Sequence, residues 1–269
     1  MARPFPKNLL IDLIQHKRLL LCVDFDGTIA ATTAHPEEAR PIEGARDAIS
    51  ILSRHRDDVV VAIVSGRAAQ TTRAMLGIFS GAYFIGLHGI ELLDAYDRRE
   101  LLVPVKHCLP ALYTVRDWLK KEARADDGFI IEDKQVSIAL HYRNADLGAA
   151  RDICRQLEYF VSRMIRGLRI IHGDMVAEVV PSNASGKGFA INYLLAQLKD
   201  KTLMPVYFGH HPSDEEAFFA VRRAAGVTIL VGADRDTHAE YRVDGPEAAT
   251  EALTILAKGL ESSRAVSPA

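Results

Sequence analysis

Leu19-Leu20-Leu21-Cys22-Val23-Asp24-Phe25-Asp26-Gly27-Thr28 is the stretch that decides the reading of this chain: an unbroken apolar run stops on two carboxylates, a glycine and a hydroxyl. A short apolar run without alternation is how a strand buried on both faces of a parallel sheet reads. In open α/β sheets ligands bind beyond the carboxyl ends of the strands, so this carboxylate pair stands where a site is expected. Asp24 and Asp26 can face one pocket if the chain turns at Gly27. One carboxylate could then attack phosphorus and hold a metal, while the other protonates a leaving oxygen and later deprotonates water. A plainer alternative stays open on these residues alone: a strand-end turn whose aspartates cap local amides.

Working outward, further Val/Ile/Leu-rich runs occur at Val59–Val64, Tyr83–Leu87, Val206–Phe208 and Val227–Val231, each ending near Gly, Ser or Asp. A helical period over Gly44–Arg54 puts Ala45, Ala48, Ile49 and Leu52 on one face, and Ile191, Leu194, Leu195 and Leu198 mark another helix before the Val206 run. Strand and helix in alternation predict an α/β fold with a doubly wound parallel-sheet core domain. Residues 105–180 read differently. A helix with Leu112, Val115, Trp118 and Leu119 on one face precedes extended segments Gly128–Ile131 and Val136–Tyr142. A second helix carries Ile153, Leu157, Phe160, Val161 and Met164, and two short strands, Leu168–Ile171 and Val176–Val180, flank a hairpin signal at Gly173-Asp174. This segment is expected to be a smaller α/β cap domain inserted into a core formed by residues 1–104 and 181–269. The polar tail after Gly259 is expected to be disordered.

The chain of 269 residues is long enough for one large domain or a domain with an insert. Its net charge of −2 gives no overall basic field, so nucleic acid is not an expected partner and any anion must be held by local groups. Cys22, Cys108 and Cys154 show no CxxC spacing, which suits a reducing cytoplasm; Cys22 reads as a small buried hydrophobe. Leu19–Val23 is far too short to span a membrane, no export signal is read, and a cytoplasmic protein with no membrane partner is expected. The oligomeric state is not legible.

Three further elements follow in order. Val64-Ser65-Gly66-Arg67 ends the second buried run with a hydroxyl and a permissive glycine suited to a phosphate oxygen, although a strand-ending Ser-Gly is also an ordinary turn. Ser185-Gly186-Lys187-Gly188 opens a helix and offers a point charge for a phosphoryl group. It is not a nucleotide P-loop, since Pro181 stands at the leading glycine position and Gly188 follows the lysine. Gly209-His210-His211-Pro212-Ser213-Asp214-Glu215 then places the Asp214 carboxylate at a helix start.

In this order, DxDGT, SGR, lysine and a glycine-led element ending in aspartate, the chain resembles the haloacid dehalogenase superfamily of phosphatases. A finer resemblance, to the trehalose-6-phosphate phosphatases, rests on Gly86-Leu87-His88-Gly89-Ile90-Glu91, on Glu132-Asp133-Lys134 through Ser137 to His141-Tyr142-Arg143, and on Asp214-Glu215-Glu216-Ala217-Phe218. It covers roughly residues 19–232. The resemblance implies Asp24 as nucleophile and Asp26 as general acid/base, with Ser65 and Lys187 on the phosphoryl group. It implies Mg2+ (or Mn2+ or another divalent ion) held by Asp24, Asp26 through its carbonyl, His210 and Asp214. It further implies a sugar phosphate as the small-molecule partner, bound by Gly66, Arg67, His88, Glu132, Lys134 and Glu178. The expected activity is hydrolysis of trehalose 6-phosphate through an aspartyl phosphate; sucrose phosphate, a glycosyl phosphoglycerate, or binding without turnover are alternatives.

Two positions depart from the family pattern. His210-His211 stands where the family has paired aspartates, and Val180-Pro181 where it has Arg-Pro. Magnesium takes oxygen ligands in octahedral geometry. Three consequences are therefore open: magnesium held by the remaining groups, a shift towards manganese, cobalt or zinc, or sugar-phosphate binding with little turnover.

Overall fold

The computed structural model describes residues 2–33, 38–78 and 80–265. The chain divides into two compact units, Met1–Leu102 with Gly186–Ala269, and Val103–Ser185.

In the first unit, β1 (Arg3–Pro4) and α1 (Leu9–Ile14) lead into β2 (Arg18–Asp24), α2 (Ala45–Arg54), β3 (Val59–Val64), α3 (Ala69–Leu76) and β4 (Ala82–Gly86). β5 (Glu91–Leu93) and β6 (Arg99–Leu101) turn back along its edge. In the second unit come α4 (Leu109–Glu122), β7 (Ile130–Asp133), β8 (Ile138–His141), α5 (Leu147–Tyr159), β9 (Leu168–Gly173) and β10 (Val176–Pro181). The first unit is completed by α6 (Gly186–Leu198), β11 (Leu203–Gly209), α7 (Glu215–Arg223), β12 (Val227–Val231), β13 (Tyr241–Val243) and α8 (Pro246–Ala265).

The large sheet has the strand order β1-β13-β12-β11-β2-β3-β4-β5-β6. It is parallel from β1 through β4, and antiparallel where β5 pairs with β4 and β6 with β5. β2 shows why an unbroken apolar run was needed. Leu19, Leu21 and Val23 pack into the cluster that holds Ile49 and Leu52 of α2 and Leu253 and Leu256 of α8. Leu20 and Cys22 pack on the opposite face with Ile191 and Leu194 of α6 and Phe218 of α7. Each face of the strand thus meets helices, and neither can be polar.

The second unit is a four-stranded antiparallel sheet in the order β7-β8-β10-β9. One face carries Ile138, Leu140, Ala177 and Val179 into a core with Leu112, Val115 and Leu119 of α4 and Leu157 of α5. The period-two alternation leaves Glu132, Ser137, Ala139, His141 and Glu178 on the other face.

The doubly wound α/β core is as expected; to it the structure adds the antiparallel edge β5–β6, which the sequence does not announce. Several expectations need correction. Met164 is exposed and does not join the apolar stripe, because α5 gives way to a wider π-turn over Phe160–Met164 that rotates it outward. The turn after β9 is Asp174-Met175, with Met175 in the left-handed region at φ 57°. The tail after Gly259 is helical through Ala265, where Ser262 and Ser263 hydroxyls bond back to the Lys258 and Gly259 carbonyls, each at 2.9 Å; residues 266–269 lie outside the described residues. Among the described residues no helix is long and apolar enough to cross a membrane.

Candidate active site

Because β2 lies between β11 and β3, the chain segments leaving these three parallel strands emerge side by side. β2 ends in Asp24, β3 leads into Ser65–Arg67, and β11 leads into His210. The first turn of α6 adds Lys187. Four segments distant in sequence therefore meet at one edge, the place where a reversal of winding direction opens a crevice.

Lys187 is the hub. Its Nζ donates to Asp24 Oδ1 at 2.8 Å and to Asp214 Oδ1 at 2.7 Å, and all three side chains are buried. Burial opposes the ammonium charge, but Asp214 and Asp24 outweigh it and hold Lys187 protonated beyond the ordinary lysine range. Burial likewise opposes ionisation of Asp24, yet the Lys187 charge and the His210 hydrogen bond keep its carboxyl well below the usual carboxylate range. Asp24 Oδ2 also accepts the Thr28 hydroxyl at 3.0 Å. An ionised, desolvated carboxylate at a strand tip has the character of an activated nucleophile.

Asp214 is satisfied on all sides. Oδ1 accepts Lys187 and the buried Tyr207 hydroxyl, each at 2.7 Å, and Oδ2 accepts the backbone N–H of His210 at 2.9 Å and of His211 at 2.8 Å. A carboxylate has about four lone-pair positions, so these four donors fill it. Burial, then the nearby Asp214 and Asp24 charges, push the Tyr207 hydroxyl far above the usual phenol range, so it remains a donor.

Asp26 engages a different cation. Arg67 holds it in a fork, Nε to Oδ2 at 2.8 Å and Nη2 to Oδ1 at 2.6 Å. The turn that follows the two carboxylates depends on Gly27 at φ +71°, with the Phe25 carbonyl accepting from the N–H of Ile29 and Ala30 at 3.1 and 3.0 Å. Ser65 is buried and its hydroxyl oxygen accepts the Arg67 N–H at 3.0 Å. Gly66 lies under the His88 ring, where a Cβ would come within 2.6 Å of Cε1. His88 itself sits at φ 55° in a turn closed by the Ile90 N–H on the Leu87 carbonyl at 3.2 Å, and its own N–H reaches across to the Ser65 carbonyl at 3.1 Å.

Asp24, His210 and Asp214 form a group whose ligand atoms all lie within 4.8 Å of one another, a cluster that can hold a divalent metal. Its donor set fits a dication in general, because two carboxylates and an imidazole converge; it does not match the all-oxygen set that magnesium prefers. Direct ligation by Asp214 would require one of its donors to give way. The two histidines part company: His210 joins the cluster, whereas His211 Nδ1 turns to Ser213 and caps the turn that delivers Asp214.

Glu132, Lys134 and Glu178 form a separate constellation in the second unit. Glu132 and Glu178 both pair in register with Ala139 on the intervening strand, so they flank a small residue on one face. Lys134 Nζ donates to Glu178 Oε2 at 2.8 Å, Ser137 Oγ to Glu178 Oε1 at 2.6 Å, and His141 Nε2 lies 3.0 Å from Glu132 Oε2. Burial opposes ionisation of Glu132, but the His141 hydrogen bond and the Lys134 charge keep its carboxyl below the usual range.

Sequence reading left Thr28, Tyr207 and Glu91 without roles. Thr28 stands in the sequence only as the last residue of the DxDGT motif, and Tyr207 lies inside the apolar run Val206–Phe208. Glu91, in Gly86–Glu91, caps the start of α3 by accepting the Ala69 N–H at 2.7 Å and pairs with Arg99 at 2.6 Å.

The family model described as trehalose-phosphatase matches residues 22–247. A trehalose-phosphate phosphatase of Mycolicibacterium paratuberculosis is 33% identical over 249 residues, covering 88% of this chain. The chain spans 62% of that relative's own length. Among solved structures, the C-terminal domain of trehalose-6-phosphate phosphatase from C. albicans superposes with a TM-score of 0.81 at 18% identity, covering 96% of this chain and 98% of the other. A trehalose-6-phosphate phosphatase related protein gives a TM-score of 0.76 at 22% identity, with 91% and 99% covered. These two likenesses establish a shared fold.

Proposed function

The chain belongs to the trehalose-phosphatase family, and from that premise we propose that it is a phosphomonoester hydrolase that releases phosphate from a sugar phosphate, trehalose 6-phosphate being the substrate its relatives' names point to. The observation that carries this reading is the buried Asp24–Lys187–Asp214 chain at 2.8 and 2.7 Å, beside Ser65 and Asp26 at the ends of parallel strands.

In the first half-reaction an Asp24 carboxylate oxygen attacks phosphorus, the ester P–O bond breaks, and the departing sugar oxygen takes a proton from Asp26, which enters this step as the carboxylic acid released from the Arg67 fork. In the second, water attacks the aspartyl phosphate, gives its proton to Asp26, and Asp24 is freed as carboxylate. Lys187 and the Ser65 hydroxyl hold the phosphoryl oxygens. Arg67 keeps the Asp26 carboxylate in one orientation, which supports a positioning role beside the substrate-binding one. Gly66 and His88 shape the floor beside Ser65. A divalent cation, Mg2+ by family membership and Mn2+ as the nearest alternative, would be held by Asp24, His210, the Asp26 carbonyl and Asp214, and would supply positive charge facing the phosphoryl oxygens.

The Val103–Ser185 unit is proposed as the cap, with Glu132, Lys134 and Glu178 hydrogen-bonding sugar hydroxyls, since a charged partner makes the stronger bond to a neutral polyol. We place the reaction in the cytoplasm, in keeping with three cysteines that are all unpaired. Purified protein assayed for inorganic phosphate against trehalose 6-phosphate, sucrose 6-phosphate and glucosyl phosphoglycerate, with Mg2+ and with Mn2+, tests the reading. Release from one of them that collapses in Asp24→Asn is the expected result. Thermal stabilisation by a sugar phosphate without release under any metal would instead make the chain a binding protein.

A further inference from the structure

His210 Nδ1 lies 3.3 Å from Asp24 Oδ2. That separation is at the long end of N–H···O hydrogen bonding, whose ordinary range is about 2.7–3.2 Å. It matches the edge of a coordination polyhedron: bonds of about 2.1 Å from one metal to an imidazole nitrogen and a carboxylate oxygen, at octahedral to tetrahedral angles, set the two donors about 3.0–3.4 Å apart.

The imidazole is held in that direction from two sides. Its own backbone N–H donates to Asp214 Oδ2 at 2.9 Å, tying the residue to the turn. Its ring rests on Gly27, where a Cβ would stand 2.4 Å from Cδ2 and Nε2, so only the absence of a side chain there lets the ring occupy this place. With the Nε2 edge against Gly27, the Nδ1 edge is left for Asp24. Asp214, its lone pairs already engaged by four donors, is the weakest of the three as a direct ligand.

From this arrangement we infer that His210 Nδ1 is a direct ligand of the catalytic cation, and that the site selects a nitrogen-accepting dication such as Mn2+, Co2+ or Zn2+ over Mg2+. The inference rests on the proposed role of Asp24 as a metal-holding nucleophile. Magnesium loses more by accepting nitrogen, because it demands oxygen ligands at short fixed distances, whereas imidazole suits the later metals.

Affinity order alone does not test this, since Mn2+ outranks Mg2+ at many sites. The deciding measurement is pulsed EPR on full-length protein loaded with MnCl2. Nitrogen-14 modulation from a directly coordinated imidazole is expected in the wild type and absent in His210→Asp. In parallel, calorimetric titration with MgCl2 and MnCl2 is expected to show the Mn2+/Mg2+ affinity ratio falling at least about ten-fold in His210→Asp. Should that variant fail to fold, His210→Asn serves for the loss of the nitrogen signal, and the wild-type spectrum stands by itself. Bound Mn2+ without nitrogen coupling, no Mn2+ binding at all, or an unchanged ratio in a folded variant overturns the inference. Phosphate release is read separately. Nitrogen coupling without turnover keeps this inference and removes the proposed reaction, while turnover with Mg2+ and no coupling does the reverse.

Discussion

Replacing Asp214 by asparagine isolates what its carboxylate does for Lys187. The aspartate accepts two donors on each oxygen: Lys187 and Tyr207 on Oδ1, and the backbone N–H of His210 and His211 on Oδ2. Asparagine can keep its single oxygen on the two backbone donors, which turns its NH2 group onto Tyr207 and Lys187. A hydroxyl can rotate and accept, but an ammonium has only donors. One charge-assisted hydrogen bond, about 1.5–3 kcal/mol, is therefore exchanged for two buried donors facing each other, about 1–3 kcal/mol more. Because Lys187 keeps Asp24, a total of about 3–5 kcal/mol is expected, as for the breaking of a buried pair. For a chain of this size that lowers Tm by roughly 10 °C. Losing one aligned electrostatic group in a water-poor site lowers kcat about 10²–10³-fold, with KM little changed. Urea unfolding and phosphate release read the two effects. Tyr207→Phe is the control: it deletes one donor, leaves the Lys187–Asp214 pair intact, and costs about 0.5–1.5 kcal/mol with kcat nearly unchanged. Wild-type stability and rate in Asp214→Asn, or equal damage from Tyr207→Phe, would refute the reasoning.

Gly27→Ala must place a methyl in the left-handed region and against the His210 ring, at a backbone cost of about 1–2 kcal/mol; weaker Mn2+ binding by calorimetry, with the fold retained by circular dichroism, is expected. Glu91→Gln turns an amide onto Arg99 while still capping α3, and should lower stability by about 1–3 kcal/mol in urea unfolding. Glu132 titrates below its ordinary value in the folded chain, so its contribution is present above about pH 4.3 and disappears as pH falls through the lowered value. Glu132→Gln should accordingly melt about 1 °C below wild type near neutral pH, a small gap because the carboxylate is half exposed, and the gap should close near pH 3–4; an unchanged gap in acid would show that the carboxylate charge is not its source.

Local signals carried the central strand and its tip. Leu19–Val23 is legible because both faces of β2 are buried, so no polar residue interrupts it, and Asp24 follows at once. Lys187 was found from its helix start, and the structure brings it to Asp24. What escaped depends on surroundings that the fold creates and the local pattern does not show. Tyr207 stands in a strand buried on both faces, where an aromatic reads as core, and its hydroxyl matters only because Asp214 returns beside it. β5 and β6 are three residues each, and β6 is wholly exposed, too short and too polar to announce strands. Glu132 and Glu178 were suspected by resemblance, but their shared neighbour Ala139 is set by register, which the sequence of one strand does not contain. The polar stretch Ser262–Arg264 reads as a tail because its composition is hydrophilic; in α8 it extends a helix already anchored by Leu253, Leu256 and Leu260.

The sharing of one lysine by two buried carboxylates also sets the charge of the site. Lys187 neutralises only one of Asp24 and Asp214, and the Asp26–Arg67 fork balances itself, so one net negative charge remains at the strand tips. That residual charge would favour a dication, and a bound dication would in turn reverse the sign met by an arriving phosphate dianion. Asp214 can therefore strengthen metal binding without touching the metal. Asp214→Asn removes the charge and should weaken Mn2+ binding, whereas Tyr207→Phe leaves it and should not, although both alter the same hydrogen-bond cluster. Calorimetric titration of the two variants separates charge from geometry: equal weakening in both would mean that the cluster's shape, and not its charge, governs the cation.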